Sequence, residues 1–502
     1  MAKQDLNELV RKSALADGPS FCPSVNVRLG GVDPLGMRQI NFDLMDRVMP
    51  NLNNVARHIR PLVVIAWAWR RARQVAEKSG QASVDVNSLE DFVDRIDVLY
   101  VWSQFLVASN VDLPGRQVLQ PLFEVDRYEF GGGEWAKRRE ARRDSTALSA
   151  ALNYGPLAKS MEWILPHEDQ PGVFVANPDF ENALDDFQAQ FTQYLELPVF
   201  SRFGPVEISR EAVQELGVAW ALGNLTDSER KAAKRAMKGE PAPTARKRGI
   251  ELMEAACAFG KTSESRSIRK LMAGCMPKFQ QEGSLGLTQE AWRNVQVRQA
   301  FRLAMEALFY WVVRKLDGQT QPVDRIVSSF ISELPDDISG LRAEEWLRAS
   351  FEAKMCPVDI VDEIRGALEG GELNTLPSML VSALSYCLLK SPNEADETQR
   401  PERLPLWRAQ AEYIQHKDDK ARDFLRYILE VWMLGQHTFW AIGRGLTDAR
   451  SRGKLILRLK IVIEEEGWAL VPGASSLAPP NPTPDRLDSA LSFAVEYGLE
   501  EQ

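Results

Sequence analysis

Cysteine and histidine are scarce in this chain, and their scarcity removes whole classes of chemistry. The five cysteines, at 22, 257, 275, 356 and 387, fall at spacings that form no CxxC pair and no zinc ribbon. Such sparse use predicts a reducing, cytoplasmic setting. Four histidines, His58, His167, His416 and His437, leave little material for metal sites or acid–base work. Neither a metal nor any other cofactor is expected, and His58 and His437, each beside apolar neighbours, read as structural histidines.

Long apolar runs are missing as well. PLVVIAWAW, Pro61–Trp69, is flanked by Arg57, Arg60, Arg70 and Arg71 and is far shorter than the roughly 20 residues that cross a bilayer. It reads as a buried helix, so no membrane partner is expected. The start, MAKQDLNELVRKSALADG, lacks the apolar region of roughly 7 to 15 residues found in a secretory signal, which again predicts a cytoplasmic chain. Motifs of nucleophilic and metal hydrolysis, GxSxG and HExxH, are absent, and the SxxK match at Ser267–Lys270 is of the kind any long chain supplies by chance. AACAFGKT comes near a phosphate loop, but Ala255 stands where the first glycine belongs. The preceding RGIELMEAACAF has helical spacing, so Gly260 reads as a helix C-cap. No reaction can be nominated from these residues.

What remains is the composition of a globular protein of about three domains at roughly 150 residues each: 502 residues, 44% hydrophobic, 26% charged and a net charge of −9. Apolar residues recur at three and four positions through RQINFDLMDRVM and LEDFVDRIDVLYVWSQFLV, which predicts an N-terminal helical domain over 1–133, ending at the glycines of FGGGEW. Residues 134–205 change texture. Asp144 or Ser145 can cap a helix over Thr146–Asn153, and Tyr154-Gly155-Pro156 predicts a turn restarting a second helix through Met161. Trp163-Ile164-Leu165 and Val173-Phe174-Val175 then read as two strands around a polar loop, with Asn177 or Asp179 capping the exit helix. That order is winged-helix-like. A central helical domain follows over 206–390, a proline- and charge-rich linker over 391–405, and a C-terminal helical domain over 406–502. There GKLILRLKIVIEEEGWALVPG suggests a second winged element that lacks one wing strand. The expected class is therefore mainly α, a multi-domain helical protein with a small winged-helix-like α+β segment.

Three segments concentrate positive charge in this acidic chain. Glu134–Arg143 carries Lys137, Arg138, Arg139, Arg142 and Arg143, and it runs into the helix-turn-helix candidate, where Lys159 can lie beside a groove. Arg230–Arg248 sets eight basic residues, among them Lys234, Arg235, Arg246, Lys247 and Arg248, against Glu240 alone. Arg444–Lys460, with Arg452, Lys454 and Arg458, opposes its basic residues with Asp448. Each is a candidate phosphate-contacting patch; solvated helix faces or protein-docking patches are the alternative. Trp67, Trp69, Trp163, Trp311 and Trp432 sit in apolar runs and read as core rather than as stacking platforms.

An enzymatic alternative rests on Pro335-Asp336 followed by Glu352-Ala353-Lys354, the spacing of a divergent Mg²⁺-dependent nuclease in which Asp336 and Glu352 hold the ion and Lys354 assists. Against it, LRAEEWLRASFEAKM has helical spacing, whereas that chemistry places its ExK on a strand.

Two blocks, GVDPLGMRQINFDLMDRVMPNLNNVARHIRPLVVIAWAWRRA (Gly31–Ala72) and RRDSTALSAALNYGPLAKSMEWILP (Arg142–Pro166), resemble helical proteins of bacterial anti-phage defence islands, encoded beside helicases, nucleases and ATPases. The resemblance carries no catalytic residues. It implies a cytoplasmic bacterial protein acting as one subunit of a multi-protein antiviral defence system. Together these readings predict a non-catalytic accessory subunit that senses or scaffolds. Its expected partners are a helicase, nuclease or ATPase subunit and double-stranded DNA. A purely structural protein–protein interaction subunit is the third alternative.

Overall fold

The computed structural model describes residues 33–79, 85–108, 110–144, 150–239, 242–261, 267–351, 356–390, 401–452 and 458–499. It is mostly helical, as the spacing predicts. The chain clusters into two compact units, each assembled from separate stretches. The first comprises 1–44, 273–277 and 290–483, and the second 45–272, 278–289 and 484–502. Divisions drawn along the chain at 133, 205 and 390 do not coincide with them.

In the second unit, the helix Arg60–Lys78 starts on Pro61, whose fixed φ and missing N–H suit a first turn. It buries nearly all of its apolar run against the helix Val86–Val107, which Asp85 caps through Ser88 N–H. Trp67 lies fully buried, meeting the rings of Phe191 at 5.0 Å, Phe200 at 5.6 Å and Phe187 at 5.9 Å edge-on. Trp69, Trp163, Trp311 and Trp432 are buried too, in keeping with the core reading. A third helix, Arg210–Ala219, closes on Val86–Val107 at Gly217, where an added Cβ would stand 2.6 Å from the Ser103 carbonyl oxygen. Arg60 is buried and pairs with Glu229 at 3.2 Å, while Glu229 also closes the capping box of the helix Asp227–Lys238. His58 is structural: its Nδ1 lies 2.6 Å from Glu496, whose other oxygen accepts from Ile59 N–H at the start of the Arg60 helix.

Of the expected elements in 134–205, the two short strands form. Ile164–Pro166 and Phe174–Ala176 pair antiparallel, with Ile164 opposite Ala176, and Asn177 caps the turn that leads into the helix Glu181–Ala189. The predicted turn at Tyr154-Gly155-Pro156 is a correction. Ala150–Ser160 is one helix with Pro156 inside it. Tertiary anchoring overrides the proline: the Tyr154 hydroxyl accepts from Arg57 N–H at 2.9 Å and His58 N–H at 3.2 Å, and Leu157 and Ala158 are buried on the same helix. Among the described residues, then, no turn divides a helix pair at Tyr154-Gly155-Pro156. A second two-stranded ladder joins Arg127–Phe130 to Val206–Ser209.

The first unit is built on the stretch of the helix Gly283–Leu316 that begins at Glu290, with Phe301, Leu308, Trp311 and Val312 in its core. Arg298 and Arg302 lie buried on that helix. Arg298 donates to the carbonyls of Leu404 at 2.8 Å and Arg403 at 3.3 Å, while Arg302 donates to that of Asn481 and pairs with Glu306 at 2.6 Å. The described end of the expected linker, 401–405, is thus packed into the unit. Ile461–Glu464 and Gly467–Leu470 form a complete hairpin, so the wing strand expected to be missing is present. Its backbone approaches Gln321 so closely that a Cβ on Gly467 would stand 2.3 Å from the Gln321 oxygen. The helix after the proline loop, Leu487–Glu496, belongs to the other unit. Cys275 and Cys356 form a disulfide with Cα atoms 5.7 Å apart, while Cys257 and Cys387 are buried thiols. Sparse cysteine use, which predicts a reducing setting, does not foresee this pairing.

Among the described residues, no helix is long and apolar enough to cross a membrane.

Candidate nucleic-acid interface

The first basic segment lies on the helix Gly133–Asp144, and its described side chains turn back onto their own unit. Arg138 donates to the Val118 carbonyl at 3.0 Å. Arg139 reaches Asp91 at 3.2 Å and Asp94 at 3.1 Å, and exposed Lys137 pairs with Glu134 at 3.2 Å. The side chains of Arg142 and Arg143 lie outside the described set. Lys159 is exposed, with its ammonium 4.0 Å from the Phe174 ring centroid, a cation–π contact on the adjoining hairpin.

Much of the second segment is occupied in the same way. Arg246 is buried and donates to the carbonyls of Ala236 at 2.6 Å and Met237 at 3.1 Å, closing the end of the preceding helix. Arg235 pairs with Asp179 at 2.6 Å, and Lys234 lies 6.0 Å from the Tyr497 ring. Lys247 is exposed and Arg248 half-buried.

Of the nuclease candidates, Asp336 is exposed on a bend, and Glu352 and Lys354 lie outside the described residues. The helix Ala343–Ala349 ends before them. Among the described residues no group of His, Cys, Asp or Glu is arranged to hold a metal ion.

The third segment is different. Arg444 and Arg458 line a cavity of about 510 Å³ in the first unit, together with Phe439, Trp440 and Glu402. Of the neighbouring basic candidates, Arg452 has no described side chain and Lys454 lies outside the described residues. The cavity's position follows from local structure. Ile428–Gly435 is π-helical and runs straight into the α-helix Gln436–Arg452. Such widened turns shift the face a helix presents, and they recur at functional sites. Ile428, Leu429, Trp432 and Met433 stay in the core, whereas Phe439 emerges 57% exposed and Ile442 40%. Trp440, half-buried, lies against Gly36: a Cβ there would stand 2.2 Å from the indole, and Gly36 has φ +69°. Only glycine accommodates both the conformation and the approach. The guanidinium carbons of Arg403 and Arg444 lie 4.7 Å and 5.0 Å from the Trp440 ring centroid. The indole N–H is buried and makes no hydrogen bond.

Two side chains brace the cavity from behind. Gln436 Nε2 donates to the carbonyls of Leu35 at 3.0 Å and Glu402 at 2.8 Å. His437 bridges the Pro34 carbonyl, 2.9 Å from Nδ1, and Lys460 N–H, 2.9 Å from Nε2. Because the backbone N–H must donate, Nε2 accepts and Nδ1 carries the proton. Burial pulls the His437 imidazole down to about 4, so it stays neutral and holds this tautomer. The reading of His437 as structural therefore stands on two hydrogen bonds.

This arrangement can stack an aromatic or planar group and pair with an anion beside it. Sequence reasoning placed Arg458 in a patch but passed over Phe439 and Trp440; the one signal for them is the glycine-flanked run GQHTFWAIGRG, in which two adjacent aromatics precede the basic segment. Compared with protein-family models, with curated proteins and with solved structures, the chain matches none.

Proposed function

We propose that this chain is a nucleic-acid-contacting accessory subunit without a reaction of its own, and that, as the resemblance of Gly31–Ala72 and Arg142–Pro166 implies, it serves a bacterial anti-phage defence assembly. The observation that carries the reading is the meeting of exposed Phe439 and half-buried Trp440 with Arg444 and Arg458 in one cavity. Phosphate contacts from the arginines position a strand, and the aromatic faces add sequence-tolerant stacking. The surface of the helix Gly133–Asp144 and the hairpin after it is then a face for a partner such as a helicase, nuclease or ATPase subunit, since Arg138 and Arg139 are held by their own unit.

The test is binding of the full chain to a fluorescent duplex and a fluorescent single strand across a salt series. Binding that weakens steeply with salt and is lost in Arg444→Glu/Arg458→Glu is the expected result. No binding at low salt overturns the reading and leaves a protein-interaction subunit.

A further inference from the structure

We infer that the cavity around Phe439 and Trp440 holds one unpaired nucleotide, its base against the Phe439 ring and its phosphate at Arg444 and Arg458. The inference rests on the nucleic-acid reading for its setting and sharpens it to a ligand. Its size is right: about 510 Å³ falls within the roughly 300–1,000 Å³ of small-molecule sites.

The chemistry of the lining selects further. A duplex keeps its base faces covered by stacking, so the exposed Phe439 ring meets a base face only when that base is unpaired. Arg444 and Arg458 bring two positive charges, and Glu402 brings one negative charge on the same lining. A ligand that is anionic throughout is disfavoured beside Glu402, whereas a nucleotide is anionic at one end and offers hydroxyl and amino donors at the other. Glu402, Arg444 and Arg458 each also make contacts within the protein.

A free mononucleotide and an unpaired nucleotide of a strand share this chemistry, and the experiment separates them. The full chain is titrated with a fluorescent oligothymidine strand, with the corresponding duplex, and with AMP by calorimetry. Phe439→Ala and Gly443→Leu are run alongside. Phe439 is exposed, so its loss opens no core. Gly443 lines the cavity on a helix, and a Cβ there meets nothing within 4 Å, so leucine fills the space without a clash and improves helix propensity.

Single strand is expected to bind more tightly than duplex, with both variants weakening it about 10-fold or more while their unfolding midpoints hold. AMP binding that both variants abolish, with no strand bound, assigns the cavity to free nucleotide; the cavity inference then stands and the nucleic-acid reading falls. Strand binding indifferent to both variants has the opposite meaning and overturns the inference. Absence of binding by strand and AMP alike overturns it as well.

Discussion

Two basic segments of this chain, Glu134–Arg143 at +3 and Arg444–Lys460 at +5, meet different surroundings. In Glu134–Arg143, Arg138 closes on the Val118 carbonyl and Arg139 is clasped between Asp91 and Asp94. In Arg444–Lys460, Arg444 and Arg458 line a cavity beside two aromatic side chains. The difference arises from neighbours rather than from charge. The helix Gly133–Asp144 packs near acids of the helix Val86–Val107, whereas the helix Gln436–Arg452 is turned by the π-helical stretch before it and presents Phe439 outward. A count of lysines and arginines therefore says where charge is carried along the chain, and the neighbours at three-dimensional reach say what surrounds it.

The comparison can be broken most severely at Gly36. Gly36→Val places a branched side chain at φ +69° and drives its Cβ into Trp440. Left-handed strain and overpacking together cost about 2–5 kcal/mol, read as a lowered denaturant midpoint, with loss of ligand binding. Next in size is the pH response of His437. Its folded value, about 4, lies below the roughly 6.5 of an unfolded histidine, so the unfolded chain binds more protons between those values. The contribution is fully present above about pH 6.5 and is lost as pH falls towards 4, amounting to about 3 kcal/mol. Unfolding midpoints measured between pH 7 and pH 4 are expected to fall more in the wild type than in His437→Gln. Arg139→Ala should cost about 1 kcal/mol by freeing Asp91 and Asp94 and leave strand affinity within about 2-fold. Lys137→Ala, which breaks only an exposed pair with Glu134, is expected to shift stability by less than about 0.5 kcal/mol.

How much of this was legible in the sequence follows the range of the interactions involved. Helices, and the tryptophans of apolar runs, are set by spacing over a few residues, and Trp67, Trp163, Trp311 and Trp432 are buried as that spacing predicts. The hairpin of Ile164–Pro166 and Phe174–Ala176 was readable because its strands and turn are local. The helix Ala150–Ser160 was not, since what carries it through Pro156 is the Tyr154 hydroxyl held by backbone almost a hundred residues earlier. The Cys275–Cys356 bond and the burial of Arg246 fail for the same reason: their partners meet only in the folded chain. Trp440 is the sharpest case. Its neighbours in sequence are ordinary, and the residue that sets its position is Gly36, some four hundred positions away.

The most direct test of the account compares salt dependences. The slope of log affinity for a single strand against log salt is measured for the wild type, for Arg138→Ala/Arg139→Ala and for Arg444→Ala/Arg458→Ala. The account predicts a slope unchanged in the first variant and reduced by about 0.7 in the second, the value for the one phosphate that is no longer neutralised. A reduced slope in the first variant with an unchanged slope in the second would contradict it.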